Sequence, residues 1–361
     1  IRTGLDGESD AVKIRIRDYY ARTISTDLSS DNSKYIKDVA IDFCKRQKLR
    51  EALIKSVDLI KSSSFDEVSK IIDGALKLGS DNTLGYEYLA DFEKRFEIKA
   101  RNPITTGWKQ IDDLTKGGLG SGELGVVIAP TGAGKSMVLV HLGAQAVKAG
   151  KNVLHYTLEL ADTVVASRYD SAITEIELNN LPVFKEKIYD EIKDVQGKLI
   201  VKEYPTRSAT IGTIKNHIDR LRRRGFEPDM IILDYGDLIK PESSRKDEKR
   251  HQLETIYEEL RGIAQQSNCP IWTASQTNRS GLNAEVITME SISEAFNKCF
   301  VADFIFSVSR TIEDKNTNGG RIFIAKNRNG PDGLIYNIFM DTSCVKIKVL
   351  REELDSIEDI T

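Results

Sequence analysis

The segment that decides the fold of this 361-residue chain is Gly125-Val126-Val127-Ile128-Ala129-Pro130-Thr131-Gly132-Ala133-Gly134-Lys135-Ser136. Its β-branched start predicts a buried strand, its glycine-rich middle predicts a tight loop, and the apolar residues after Ser136 predict a helix. This layout is that of a P-loop, with Ala129 in place of the usual first glycine. Backbone N–H groups of such a loop and of the following helix N-terminus bind phosphate oxygens.

The residues of the P-loop have distinct predicted roles. Lys135 is expected to reach the β- and γ-phosphates of a nucleotide, and the Ser136 hydroxyl is expected to ligate Mg²⁺. The predicted phosphate-binding residues are Pro130, Thr131, Gly132, Ala133, Gly134, Lys135 and Ser136.

Three other strand-like segments end in a side chain suited to nucleotide chemistry. Met230 to Asp234 is four apolar residues followed by a carboxylate, a Walker B pattern that predicts Asp234 as a second Mg²⁺ residue. The strand ending near Glu159 follows the P-loop helix and should lie close to the P-loop strand by right-handed crossover, which would let Glu159 polarise the attacking water. Asp162, just beyond, is expected to cap the next helix. Gln276 ends a third strand and could bond the γ-phosphate.

A pair of cations follows a late strand, in Lys326-Asn327-Arg328-Asn329-Gly330-Pro331. The Gly-Pro turn predicts a hairpin from which Lys326 and Arg328 project on one face. The two cations could protect a solvated sheet edge, or they could stabilise transition-state charge on a neighbouring subunit's ATP. Spacing alone leaves both alternatives open.

The bulk composition excludes several classes of protein. The net charge of −3 gives no overall basic character, so a nucleic-acid site must be a local patch. No apolar run is long enough to span a membrane. A reducing cytosol suits the four scattered cysteines, which are Cys44, Cys269, Cys299 and Cys344. The chain starts at Ile1 rather than Met, so we expect its true N-terminus to be missing.

The hydrophobic pattern divides the chain into four parts. Residues 1–80 are predicted to be a truncated helical region, and 81–103 a linker with a short amphipathic helix whose aromatic stripe packs on its own domain or on a neighbouring subunit. Residues 104–352 alternate strands and helices, which predicts an α/β fold with a mainly parallel sheet, helices on both faces and an antiparallel edge. Residues 353–361 are an acidic tail.

The motifs in this order resemble those of the DnaB family of hexameric replicative DNA helicases with a RecA-like motor, particularly those of T-even-type bacteriophages. The matching segments are Tyr156-Thr157-Leu158-Glu159-Leu160, Ile232-Leu233-Asp234-Tyr235, Ser275-Gln276-Thr277-Asn278-Arg279 and Ala325-Lys326-Asn327-Arg328-Asn329-Gly330-Pro331. One departure is Gly236-Asp237, where the family has Leu-Gln.

The resemblance implies a hexameric ring that hydrolyses ATP with Mg²⁺ at its subunit interfaces, translocates on single-stranded DNA in the host cytoplasm and unwinds duplex at the replication fork. It implies that Glu159 is the catalytic base and Gln276 the sensor, and that Lys326 and Arg328 act on the neighbour's ATP. Primase and a helicase loader are the implied protein partners, and no membrane is expected.

The DNA-binding loop of the family corresponds to the polar segment after Asp234. Its candidate phosphate-neutralising residues are Arg245, Lys246, Lys249 and Arg250. The same segment could be an ordinary solvated charge run, because Asp247 and Glu248 dilute it. A second candidate is the stretch 280–290, while Arg220 and Arg222 to Arg224 are expected on an outer helix face or at a subunit contact.

Two other functions compete with the helicase. A RecA-like recombinase or regulatory ATPase would use the same fold without unwinding, but it would show an N-terminal polymerisation strand rather than a linker helix. A small-substrate phosphotransferase would show an arginine-rich lid. Neither feature is found in the sequence.

Overall fold

The computed structural model describes residues 46–57, 59–60, 65–76, 88–89, 92, 101–241, 249–277, 286–287 and 299–350. The chain divides into two compact units, residues 1–98 and 99–361. The boundaries at 80, 103 and 352 stay predictions, because most of the linker and the whole tail lie outside the described residues. Among the helices that the structure describes, none is both long and apolar enough to cross a membrane.

The described part of the first unit is largely helical. Residues 46–57 are helical, and α1 (Phe65–Leu76) follows where the sequence predicts a helix after a capping box. Ala52 and Ala75 are buried. Of the predicted linker helix, the described residues Tyr88, Leu89 and Phe92 are turn residues with exposed side chains. Whether this aromatic stripe docks on another subunit stays a prediction.

The second unit alternates helices and strands. Its helices are α2 (Lys109–Thr115), α3 (Lys135–Lys148), α4 (Asp162–Thr174), α5 (Lys185–Lys193), α6 (Ile211–Arg223), α7 (Lys249–Ser267) and α8 (Ile312–Asn316). Its strands are β1 (Leu124–Ala129), β2 (Val153–Thr157), β3 (Leu199–Glu203), β4 (Met230–Asp234), β5 (Ile271–Gln276), β6 (Phe304–Ser309), β7 (Gly319–Asn327), β8 (Ile335–Asp341) and β9 (Lys346–Val349). Short 3-10 turns lie at Leu178–Asn180 and Gly236–Leu238.

The strands of the described residues form one sheet in the order β3-β2-β4-β5-β1-β6-β7-β8-β9. The pairs from β3 to β6 are parallel, and the pairs from β6 to β9 are antiparallel. This confirms the predicted α/β fold with an antiparallel edge. The sequence pattern missed β3 and β9, which form the two ends of the sheet and are less completely buried than β1.

The expectation that β2 lies close to the P-loop strand is wrong, because β4 and β5 separate β2 from β1. The connecting helix α3 packs across β1, β5, β4 and β2. With 14 residues it is about 21 Å long, which is enough to cross three strand spacings of about 4.8 Å each. A crossover connection therefore did not require neighbouring strands.

Helices cover both faces of the sheet. On one face Val126 and Ile128 pack in a cluster with Ile256 and Tyr257 of α7. On the other face Val127 packs in a cluster with residues of α2 and α3. Every residue of β1 is buried, as expected for a central parallel strand. Ligands must therefore bind at the sheet edges, and in such folds they bind at the carboxyl ends of the strands.

The described cysteines Cys269, Cys299 and Cys344 are buried and form no disulfide. Burial raises the pKa of the Cys269 thiol to about 12. Cys269 is therefore a packed, protonated side chain. Cys44 lies outside the described residues.

Candidate active site

The P-loop leaves β1 at Ala129 and enters α3 at Lys135. Gly132 and Gly134 have φ values of 73° and 98°, which L side chains rarely adopt. The Met340 methyl group next to Gly134 is the flexible end of its side chain, so it is the backbone angle that requires glycine there. The loop therefore needs glycine at that position to turn the helix N-terminus, with its free N–H groups, towards the carboxyl edge of the sheet.

Lys135 is held within the loop by its ammonium group. Nζ donates to the carbonyl oxygens of Ala129 and Pro130, both at 3.3 Å. Burial lowers the pKa of Lys135, and the nearby carboxylates of Glu159, Asp234 and Asp237 oppose that shift. The lysine and these three carboxylates therefore belong to one electrostatic cluster, although they lie at or after the ends of three different strands.

Asp234 is a buried carboxylate that suits a divalent cation. It is 1% exposed at the tip of β4, and burial raises its pKa. Neither oxygen accepts a well-formed hydrogen bond from the described residues, although the Ser136 hydroxyl is near enough to lower the pKa. A buried charge without partners is costly, so the site gains from a cation. The oxygens of Asp234 and Ser136 are hard donors of the kind that Mg²⁺ prefers.

Glu159 lies two residues beyond β2, in an exposed bend. The Thr157 hydroxyl fixes this bend by donating to the Leu160 carbonyl at 2.8 Å and accepting from the Leu160 N–H at 3.1 Å. Glu159 adds to the raised pKa of Asp234. Its charge thus acts at the P-loop despite the two strands between β2 and β1.

Asp162 does not cap α4, so this part of the sequence-based prediction is wrong. The N-cap position is Ala161, which makes no side-chain cap, and Asp162 is the first helical residue. Its carboxylate accepts from the Thr163 N–H at 2.7 Å. Asp162 therefore occupies a position where the helix dipole favours a negative charge.

Gln276 contacts the P-loop directly. It is the last residue of β5 and pairs with Ala129, the last residue of β1. Its side-chain amide donates to the Thr131 hydroxyl at 2.5 Å. The backbone N–H of Gln276 donates to Asp237 at 3.3 Å. An amide in this place is within reach of the phosphate end of a bound nucleotide.

Lys326 and Arg328 lie together, but at the end of the sheet where the parallel strands begin, opposite the P-loop. We call this end the amino edge. Arg328 forms an ion pair with Asp303 at 3.2 Å, and Asp303 also accepts from the N–H of Leu124, the first residue of β1, at 3.0 Å. Lys326 donates to the Phe300 carbonyl at 2.5 Å. Burial lowers the pKa of Lys326, and Arg328 lowers it further. The two cations therefore surround the beginning of β1, whereas the P-loop follows its end.

The structure leaves the predicted DNA-binding residues largely undescribed. Arg245 and Lys246 lie outside the described residues, and Lys249 and Arg250 open α7, with their side chains also undescribed. Most of the stretch 280–290 is likewise undescribed, but Ile287 is buried and accepts from the Ser307 hydroxyl at 2.6 Å. In the arginine cluster at the end of α6, Arg222 pairs with Glu227 at 2.9 Å.

The sequence analysis missed two cations near the P-loop. Arg168 of α4 is half-buried, and the charges of Asp234 and Glu159 partly restore a pKa that burial lowers. Lys315 of α8 has its ammonium group 3.8 Å from where a Cβ on Gly132 would lie. The helix of Lys315 was not predicted, and no local motif marks either residue. For Arg168, the only signal in the sequence was a positive charge within ten residues of Glu159.

Replacing Arg168 by Ala is expected to lower the turnover of ATP by about 10²-fold, the scale of losing one preorganised donor in an active site. Arg168 balances the charges of Asp234 and Glu159, so its loss would leave two carboxylates facing the phosphates. The Arg168→Lys variant keeps the charge and should recover part of the turnover. Steady-state hydrolysis rates check this, and equal rates for the Ala variant and the unaltered protein would contradict the role.

Comparison with known proteins places this geometry in a family. The model of the DnaB-like helicase C-terminal domain matches residues 103–346, more than half of the chain. A DnaB-like replicative helicase of Enterobacteria phage T4 is 30% identical over 267 residues, covering 70% of this chain and 56% of that protein. The replicative DNA helicase DnaB of Mycoplasma genitalium is 27% identical over 306 residues, covering 77% and 64%. The chain thus spans less than two thirds of these relatives.

Solved structures share the fold. A DnaB-like replicative helicase, described with its interactions with primase, superposes with a TM-score of 0.66 at 15% identity, covering 91% of this chain and 80% of that one. A separately solved ATPase domain superposes with a TM-score of 0.61 at 16% identity, covering 73% of this chain and 97% of that one. From its P-loop to its last strands, this chain belongs to the family of DnaB-like replicative helicases, of which it contains the C-terminal helicase domain.

Proposed function

We propose that this chain is the motor of an ATP-driven replicative DNA helicase that assembles as a hexameric ring. It hydrolyses ATP at the interfaces between subunits, moves along single-stranded DNA and unwinds duplex at the replication fork. ATP and Mg²⁺ are its substrate and metal.

The observation that supports this proposal best is the separation of the catalytic groups between the two edges of one sheet. Lys135 and Gln276 lie at the carboxyl edge, next to the end of β1. Arg328 lies at the amino edge, paired with the carboxylate that binds the first residue of β1. The five residue steps of β1 separate these edges by about 16 Å, more than an arginine side chain spans. A subunit with this arrangement completes its site with a neighbour's cations.

The chemistry of a complete site follows from the positions of these groups. The P-loop N–H groups and Lys135 would bind the β- and γ-phosphates, and Glu159 would orient the attacking water. Ser136 and Asp234 would hold Mg²⁺, which neutralises charge that develops on the phosphates. Gln276 would contact the γ-phosphate, and Lys326 and Arg328 of the adjacent subunit would stabilise the transition state.

Single-stranded DNA would bind the basic segment that includes Arg245, Lys246, Lys249 and Arg250. Primase is a proposed partner because a DnaB-like helicase of the same fold is described with primase. A helicase loader and a cytoplasmic location stay predictions from the family resemblance.

Particle symmetry tests the proposal against a recombinase or regulatory ATPase. With a non-hydrolysable ATP analogue, Mg²⁺ and single-stranded DNA, we expect closed or spiral rings of six subunits in electron micrographs. The same preparation with ATP should unwind a forked duplex, while Lys135→Ala rings should not. Monomers or open filaments without unwinding would favour the competing functions.

A further inference from the structure

Two side chains of helix α7 reach towards opposite edges of the sheet. Tyr257 and Arg261 are four residues apart, so they lie one turn apart on the same helix. We infer that they are positioning residues: Tyr257 fixes the sensor Gln276 of its own ATP site, and Arg261 holds the buried Asp303 so that the finger Arg328 can leave this carboxylate for the next subunit's site. This inference rests on the proposed hydrolysis between subunits.

Tyr257 is connected to the sensor through Asp237. The Tyr257 ring is fully buried, and its hydroxyl lies 2.9 Å from Asp237 Oδ1 and 3.0 Å from the Ala274 carbonyl, both acceptors for its single proton. The other oxygen of Asp237 accepts from the Ser275 hydroxyl and from the Gln276 N–H, both at 3.3 Å. The carboxylate thus bridges α7 and the last two residues of β5. Moving α7 would therefore shift the backbone of Gln276, and with it the side-chain amide that contacts Thr131.

Gly236 and Asp237 shape the surroundings of the Tyr257 hydroxyl. A Cβ at position 236 would lie 3.2 Å from this hydroxyl, closer than ordinary van der Waals contact. The Asp237 carboxylate accepts a hydrogen bond from it. Gly236-Asp237 therefore leaves room for the Tyr257 hydroxyl and provides an acceptor.

Arg261 is connected to the finger through Asp303. Its guanidinium donates twice to the Asp303 carboxylate, at 3.1 and 3.0 Å. Arg328 contacts one of the same oxygens at 3.2 Å. Asp303 is 5% exposed, so its charge needs a permanent partner. With Arg261 as that partner, Arg328 is free to exchange Asp303 for a phosphate. Without Arg261, the buried carboxylate would retain Arg328.

The helix that carries both side chains is a single 19-residue element, and helices move as rigid bodies more readily than they bend. A shift of α7 would change the sensor of one site and the finger of the next site together. The basic segment that we propose to bind DNA runs into this helix, whose first two residues are Lys249 and Arg250. DNA binding would then act on two neighbouring ATP sites through the same helix.

Mixed rings test the two roles separately. Tyr257→Phe removes one hydroxyl, and we expect about a tenfold loss of kcat with an unchanged KM for ATP, the scale of one hydrogen bond to a charged group. Tyr257→Phe damages the P-loop side of its own site and leaves its finger intact. Added Arg328→Ala subunits bring an intact P-loop side and should restore turnover. Added Lys135→Ala subunits have a damaged P-loop themselves and should not. Arg261→Ala should lose a similar factor with the opposite pattern, restored by Lys135→Ala and not by Arg328→Ala. Arg261→Lys should recover part of kcat.

The controls separate failure of this inference from failure of the proposed function. Tyr156→Phe removes another buried hydroxyl, one that contacts His217 at 3.0 Å, and should keep full turnover. If Arg328→Ala and Lys135→Ala do not complement each other, sites are not shared and the proposed function fails. If they do, yet Tyr257→Phe and Arg261→Ala show the same complementation pattern or full kcat, the inference is wrong. A variant that complements in one mixture is folded, so misfolding cannot imitate the result.

Discussion

Replacing Arg328 by Ala is expected to reduce the turnover of ATP by about 10³- to 10⁵-fold, the range for loss of an arginine finger. Arg328 is 44% exposed at the amino edge of the sheet, with Asp303 as its ion-pair partner. Arg328 does not contribute to the P-loop of its own subunit, so the affinity of the variant for nucleotide should change little. Steady-state hydrolysis with single-stranded DNA, together with the Kd of a fluorescent ATP analogue, measures both quantities.

Mixing experiments show whether Arg328 acts on its own or on a neighbouring site. Lys135→Ala subunits keep an intact finger, so adding them to Arg328→Ala subunits should recover part of the turnover. Lys193→Ala is a matched control, because Lys193 is an exposed cation paired with Asp190 at 2.6 Å and lies outside the proposed site. Absence of recovery at every mixing ratio would show that Arg328 acts within its own chain or only on folding.

The parts of the fold that could be predicted from the sequence are those encoded by contiguous runs. The apolar residues from Val126 to Ile128, the glycines of the loop and the apolar start of α3 lie within one short stretch, and each has a local physical consequence. The same holds for β4 and β5, whose apolar runs end in Asp234 and Gln276. Local patterns therefore placed the carboxyl ends of three strands correctly.

The parts that could not be predicted depend on contacts between distant segments. The order of the strands is determined by how α3 crosses the sheet, and no run of residues specifies how many strands it passes. Arg168 belongs to the site only because its helix brings it near Asp234 and Glu159. The opposite placement of Arg328 and Lys135 likewise follows from the antiparallel direction of β7, a property of the assembled sheet.

Replacing Glu159 by Gln is expected to lower ATP hydrolysis by about 10²- to 10⁴-fold, the usual contribution of a general base. Glutamine keeps the size and the shape of the side chain, but its neutral amide does not accept the proton of the attacking water. Binding of ATP should stay near normal, because Asp234 and Asp237 still support the charge of Lys135. Single-turnover hydrolysis and nucleotide affinity, measured on the same preparation, separate these two effects.

Asp162 provides the matched control for Glu159, since it is another exposed carboxylate three residues away. It begins α4 and accepts a hydrogen bond from Thr163, so Asp162→Asn should cost only about 0.3–1 kcal/mol of helix stability and little turnover. The opposite outcome, with Asp162→Asn inactive and Glu159→Gln active, would make Asp162 the base. Equal and partial losses would instead indicate that the two carboxylates act mainly through their summed negative charge. In that case, the rate loss of both variants should depend on the salt concentration in the same way, because salt screens charges that act at a distance. The rate loss from removing a true base should not depend on salt, because proton transfer occurs at contact distance.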